Sequence, residues 1–257
     1  MSKTVVVWSC AHADPAVSNE RANWLGEFLF DVRPDYVVDL GDAADMRSLN
    51  TYDTRNPKMI TMQSYEKDIE QHLDFQERVR RKFKARKTKR PVFYGLEGNH
   101  EHRIKRAIEV DPRLEGSRYG ISFKDLETKS LYDEYHEYSS GGPAILDLDG
   151  VSYAHYIASN SFGRAIGGEH HAYSLLKKRQ HSTTVGHSHK RSVFFKDDAH
   201  PNPTIGLVVG CMKGGEEVWA GQSNKEWWKG VVIKRNLKDG VYEPEFVSLD
   251  RLKREYG

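Results

Sequence analysis

The chain has 257 residues, 38% of them hydrophobic and 30% charged, with a net charge of +2. This length allows one or two domains, and the composition excludes both a disordered polyelectrolyte and a membrane-spanning chain, which needs ~20 consecutive apolar residues. Two cysteines exclude a disulfide-stapled secreted scaffold and, with no signal-peptide pattern after Met1, point to a reducing cytoplasm.

In chain order, Lys3–Trp8 is a β-branched apolar run that predicts a buried strand ending at Ser9-Cys10-Ala11-His12. Asp14-Pro15 supplies a cap and a first-turn proline, predicting a helix that carries Trp24, Leu25, Phe28 and Leu29 and stops at Pro34. Asp35–Leu40 predicts a second strand ending at Gly41-Asp42, and 46–60 reads as loop. Residues 61–88 predict a long charged helix. Pro91–Leu96 predicts a third strand, ending at Gly98-Asn99-His100, and Glu101–Ile108 a short helix. Residues 109–142 are weakly periodic and predict a lid or insertion rather than core. Ala144–Leu148 and Val151–Tyr156 flank Asp149-Gly150, a strong hairpin signal. A helix over Gly168–Arg179 precedes a strand at Thr183–Val185, which ends at Gly186-His187-Ser188-His189. Val193–Lys196, Thr204–Cys211, Val231–Leu237 and Glu245–Leu249 predict later strands, with Pro244 just outside the last. The first half alternates strand and helix and the second is strand-rich, which predicts a mixed α/β fold over one domain, 1–257. Ligands of such sheets bind at the strand C-termini.

The chemistry sits at those ends. His12, Asp42, Asn99-His100, His155 and His187-x-His189 each stand at or just past a predicted strand. Imidazoles, a carboxylate and an amide carbonyl suit Mn, Zn, Fe or Ni rather than Ca or a plain Mg site. His187 and His189, two apart, share a side on a continuing strand.

In this order the segments Cys10-Ala11-His12, Gly41-Asp42, Gly98-Asn99-His100-Glu101, His155 and Gly186-His187-Ser188-His189 resemble the calcineurin-like metallophosphoesterase superfamily, over about three quarters of the chain. The contexts LGDAADM and GNHEHRIKRAI look most like small stand-alone bacterial or phage members. The resemblance implies a four-layer α/β/β/α sandwich with two mixed sheets and two divalent transition-metal ions. By carry-over, Asp42 bridges the ions, His12 and His189 belong to the first, and Asn99, His155 and His187 to the second. It also implies attack on phosphorus by a metal-bridging hydroxide, with His100 as a non-ligand proton or hydrogen-bond donor to the leaving oxygen.

One position departs from the family pattern, where the first residue is Asp and this chain has Cys10. Four readings stand. Cys10 is a thiolate ligand favouring a softer ion; the first position is weak or empty; Asp14 reaches in as a substitute; or Cys10 is an inert core thiol. His170 or His171 competes with His155 as ligand. Arg103 and His102 are candidate substrate-binding residues beside the motif, with a solvated surface as the alternative. Asp45 reads as a group holding a histidine or as a helix cap.

Arg78–Arg90 holds nine Lys or Arg in thirteen residues. It reads either as a nucleic-acid footprint or as the basic end of a charge-polarised helix preceded by Glu66, Asp68, Glu70, Asp74 and Glu77. Trp219, Trp227, Trp228 and the tyrosines of 132–138 read as base-stacking surfaces or as packing. Cys211 reads as core. The leading expectation is a metal-dependent phosphoesterase, with a phosphodiester, nucleic acid or nucleotide slightly ahead of a phosphomonoester. The competing class is a non-catalytic metal-binding scaffold, supported by Cys10 alone. Oligomeric state leaves no mark on the sequence.

Overall fold

The structure is a computed structural model that describes residues 1–51, 64–84, 89–116, 120–139, 142–197, 203–216 and 218–257. It holds eleven described strands in two sheets. The first sheet runs β11-β10-β1-β2-β3-β4, with β1 Lys3–Trp8, β2 Tyr36–Asp39, β3 Val92–Leu96, β4 Glu134–His136, β10 Gly230–Lys238 and β11 Val241–Ser248. Its strands β1 to β4 are parallel, while β10 and β11 are antiparallel additions. The second sheet runs β5-β6-β7-β9-β8, with β5 Ile145–Leu148, β6 Val151–Ala154, β7 Thr183–Val185, β8 Arg191–Lys196 and β9 Thr204–Val209. Here β6, β7 and β9 are parallel.

The period-2 alternation of strands builds the layers. On β1, Val6 and Trp8 face a cluster with Leu25, Phe28 and Leu29 of helix α1 (Glu20–Val32) and Phe75 and Val79 of α2 (Tyr65–Arg80). Val5 and Val7 face the other way, onto Val151, Tyr153, Ile205 and Leu207 of the second sheet. That sheet's far face, Ala154, Val185 and Val208, packs on Ala172 and Leu175 of a helix over His171–Arg179. The order is therefore helix, sheet, sheet, helix, the expected four layers.

The strand expectations hold in place, and the differences have local causes. The first helix begins at Glu20, because Asp14 is spent on a turn: its Oδ1 accepts from Ala16 N at 2.8 Å. Asn19 at the helix start donates its amide to Gln71 O and Asp74 Oδ2 on α2 instead of capping. Residues 109–142, expected outside the core, contribute β4 and the buried side chains Leu126 and Tyr132. The Asp149-Gly150 hairpin forms, with φ of 47° and 82°. Pro244 lies inside β11, where an edge strand tolerates a missing N–H. A C-terminal helix, Leu249–Tyr256, escapes the sequence reading; Ser248 caps it by accepting from Arg251 N. Among the described residues no helix is long and apolar enough to cross a membrane.

Candidate active site

Five strand ends converge. The C-termini of β1, β2, β3, β6 and β7 deliver Cys10 and His12, Asp42, Asn99 and His100, His155, and His187 and His189. The loops turn at once: φ is 53° at Cys10, 44° at His12, 55° at Asp42, 65° at His187 and 59° at His189. Each such residue costs on the order of 1–3 kcal/mol, strain that clusters at functional sites. Glycines make the crowding possible. A Cβ on Gly98 would collide with Asp42 Oδ1 and N, and one on Gly186 would strike Ser9 Oγ. The glycines of Gly-Asn-His and Gly-His-x-His thus let neighbouring loops touch.

Asp42 is the centre. It is buried, its Oδ1 accepts from His100 N at 2.9 Å, and its Oδ2 lies 3.2 Å from His155 Nε2 and 3.8 Å from His12 Nε2. Burial alone would raise its pKa, but the histidines around it, His155 first, hold the carboxyl well below the usual range. Two pairs of ring nitrogens face each other across it: His12 Nε2 and His189 Nε2 at 3.1 Å, and His155 Nε2 and His187 Nδ1 at 3.2 Å.

The outer nitrogens fix the tautomers. His12 Nδ1 lies 2.8 Å from Asp45 Oδ1, and His155 Nδ1 donates to Leu40 O at 2.8 Å. With Nδ1–H committed, His155 Nε2 is an acceptor facing further acceptors: Asp42 Oδ2, and Asn99 Oδ1 at 3.0 Å. Such an arrangement calls for a cation among these atoms, a proton or a metal ion. Despite burial, Asp42 does push the His155 pKa up. Burial pushes His12 well down, His187 to about 4 and His189 to about 3, so these rings keep free lone pairs at neutral pH. Among the described residues three groups are compact enough to hold a metal, the donor atoms in each within 4.8 Å of one another: Cys10, His12 and His189; Cys10, Asp42 and His155; and His12, Asp42 and His100. Facing lone pairs, a buried carboxylate and mixed N, O and S donors fit divalent transition-metal ions.

His100 stands at the rim, its Nδ1 2.7 Å from Asp45 O. Arg103 does not extend as a phosphate clamp. Its Nη1 donates to Asp45 O at 2.9 Å, and its Nη2 lies 3.2 Å from His100 Nε2. His102 pairs with buried Glu97 at 2.8 Å and stacks on Tyr138 with ring centroids 4.6 Å apart. Asp14, a possible substitute ligand, is drawn off to Arg47 Nη1 at 3.1 Å and joins none of the three groups. His171 touches Ser188 Oγ at 3.2 Å, behind the His187–His189 loop, and its ring joins none of them either.

The sequence left three roles unread. Glu101 is buried and ties the β2 and β3 loops together, accepting from Asp42 N at 2.9 Å, Gly98 N at 3.0 Å and Ala44 N at 2.9 Å. Lys213, just past β9, lies 3.8 Å from Asp45 Oδ1. Trp227 meets the His189 ring edge-on at 4.5 Å. Its place at the end of the Gly98-Asn99-His100-Glu101 segment was the signal for Glu101.

Several residues of the basic run are paired with acids or rings of the fold. Arg78 pairs with Asp74, Lys82 with Glu27, Lys84 with Glu77 and Arg90 with Asp133, while the Arg80 guanidinium lies 4.5 Å from the Phe93 ring centre. Residues 85–88 of that run and the Trp219 side chain lie outside the described residues.

The chain is similar to known proteins. The family model for calcineurin-like phosphoesterases matches residues 3–241. A solved structure from Streptococcus pneumoniae, described as a predicted phosphoesterase, is 11% identical, with 97% of this chain and 91% of that one covered and a TM-score of 0.39. The cold-active protein-tyrosine phosphatase of a psychrophilic Shewanella is 14% identical, with 95% and 80% covered and a TM-score of 0.40. No curated protein matches the chain at a significant level. With its model match spanning nearly the whole chain, this protein belongs to the calcineurin-like phosphoesterase family, metal-dependent hydrolases of phosphate esters.

Proposed function

We propose that residues 1–257 form one metallophosphoesterase domain that hydrolyses a phosphodiester at a two-metal centre. Cys10, His12, Asp42 and His189 would hold one ion, and Asp42, Asn99, His155 and His187 the other. The observation that carries this is the pair of facing histidine couples around one buried carboxylate. When bound, the ions supply Lewis-acid charge for the phosphoryl oxygens and lower the pKa of water so that hydroxide is available at neutral pH.

The chain's own groups do the rest. Asp45 holds the His12 and His100 rings through their Nδ1 atoms, at 2.8 and 3.2 Å from its Oδ1. His100 Nε2 lies 3.2 Å from the donor Arg103 Nη2, so it would serve the leaving oxygen as a hydrogen-bond or proton donor only once the substrate displaces Arg103 from it. Arg103 keeps the ring in place rather than gripping substrate. That favours a monoanionic diester over a dianionic monoester, which needs an unengaged cation for its extra charge. The ion pairs within 78–90 take charge away from a nucleic-acid footprint, so the diester reading rests on the site, with a nucleotide or nucleic acid as the substrate class. Both cysteines are free thiols, which supports a reducing, cytoplasmic setting.

The test is hydrolysis of a chromogenic phosphodiester and its matching monoester by protein reloaded with Mn2+ or Zn2+. A higher kcat/KM for the diester is expected. A higher value for the monoester would overturn the diester assignment in favour of a phosphomonoesterase.

A further inference from the structure

The departure at position 10 is a cysteine whose surroundings are not those of a core thiol. Cys211, the other free cysteine, has its Sγ 3.7 Å from Trp228 O beside an apolar strand. Cys10 is equally inaccessible, yet its Sγ lies within 4.8 Å of donor atoms of His12 and His189, and within 4.8 Å of those of Asp42 and His155. Ser9 Oγ is 3.0 Å from the sulfur, and the His187 N–H also reaches it. The sulfur is thus shared by two donor triads, one with His12 and His189 and one with Asp42 and His155, brought together from four strand ends. The left-handed turn at Cys10, φ 53°, brings the side chain there. Asp14, which might have supplied the missing carboxylate, is held by Arg47.

Building on the metal-centre reading above, we propose that Cys10 is a thiolate ligand that tunes the first metal position toward a borderline ion, Zn2+ or Fe2+, and away from Mn2+ and Mg2+. Thiolate is the softest donor in the set, and soft sulfur ligation selects Zn and Fe over the oxygen-preferring ions. The triad Cys10, His12 and His189, completed by Asp42, would give a mixed S, N, N, O donor set of the kind zinc accepts. As the sulfur–metal bond forms, the S–H bond breaks and its proton passes to buffer, so binding releases that proton and involves no redox change. Ser9 and the His187 N–H stabilise the charge left on sulfur. The second position would draw on Asn99 and His187 as well as His155, nitrogen and oxygen donors, so in this reading the sulfur is assigned to the first position and the two would differ in metal preference.

The experiment titrates metal-stripped, full-length protein with Co2+ and records absorbance. A near-ultraviolet thiolate-to-cobalt charge-transfer band is expected in the wild type and absent in Cys10→Ser and Cys10→Asp. X-ray absorption of the zinc-loaded wild type should show a sulfur neighbour at about 2.3 Å. By competition titration, the ratio of Zn2+ to Mn2+ affinity should fall at least about tenfold in Cys10→Asp, the lower end of what perturbing even outer-shell groups costs. Cobalt bound without the band, or zinc without a sulfur neighbour, would overturn the Cys10 proposal and leave the metal centre intact. No binding of Co2+, Zn2+ or Mn2+ at all would overturn both. The wild-type spectra decide the matter even if neither variant folds.

Discussion

Glu101 offers the sharpest quantitative test of how the site is held. Its Oε2 accepts from Asp42 N and Gly98 N, and its Oε1 from Ala44 N, all at 2.9–3.0 Å and all buried. Burial first and the Asp42 charge second push this carboxyl up to about 8, the Ala44 N–H offsetting only part of the rise, so the geometry and the electrostatics pull opposite ways. Donors lie against both oxygens, so a proton on either would face an N–H; the group acts as a carboxylate. Glu101→Ala leaves three buried N–H groups unpaired, at roughly 1–3 kcal/mol each, for an expected loss of about 3–9 kcal/mol. Glu101→Gln keeps shape but must aim its NH2 at a donor. Its better rotamer sacrifices only the Ala44 N–H, an expected loss of about 1–3 kcal/mol. Urea unfolding of the metal-free protein measures both. In metal-loaded protein, Glu101→Gln should also lose about 100-fold in kcat/KM, the scale expected when a reacting group shifts by ~1 Å, because Asp42 follows its N–H. A Glu101→Gln variant as stable as the wild type would refute the carboxylate reasoning. It would mean that the side chain is already a neutral acid.

Three further outcomes follow from the packing and the site. Leu207→Ala, fully buried between the sheets, should cost about 2–5 kcal/mol in urea unfolding while leaving metal affinity unchanged; a cost under ~1 kcal/mol would deny the inter-sheet core. His187, His189 and His12 are depressed in the folded state, so on acidification the unfolded chain takes up protons that the folded one refuses. The metal-free protein should therefore lose stability as pH falls from about 6.5 to about 4, read from denaturation midpoints, and a flat profile would contradict their burial. Saturating metal at 100 times its Kd should raise unfolding free energy by about 2.7 kcal/mol, reversed by chelation, and calorimetry showing no shift would argue against a folded-state site.

The sequence exposes what backbone pattern controls. His12, Asp42, Asn99, His155 and His187 stand out because each follows a short predicted strand, and a parallel sheet brings such ends together. It hides what three-dimensional hydrogen bonding controls. Nothing in the residues after Asn99 says that Glu101 will bind N–H groups 57 to 59 positions away. Arg103 looks like a free cation until its guanidinium is found on Asp45 O and His100. Asp14-Pro15 has the chemistry of a helix start, but its carboxylate is consumed by Ala16 N and Arg47, so the helix waits until Glu20. Weak periodicity in 109–142 concealed Tyr132, whose hydroxyl reaches Asp39 Oδ2 beneath the site. Short core segments of this kind carry too few residues for a period to show.

The most direct test of the central claim separates metal holding from proton delivery. Metal content and phosphodiester turnover would be measured together for the wild type, Asp42→Asn and His100→Ala. The account predicts two bound ions and turnover in the wild type. Asp42→Asn should lose both metal and activity, and His100→Ala should keep its metal while losing most of its turnover. An Asp42→Asn variant that retained full metal content and wild-type turnover would contradict the account.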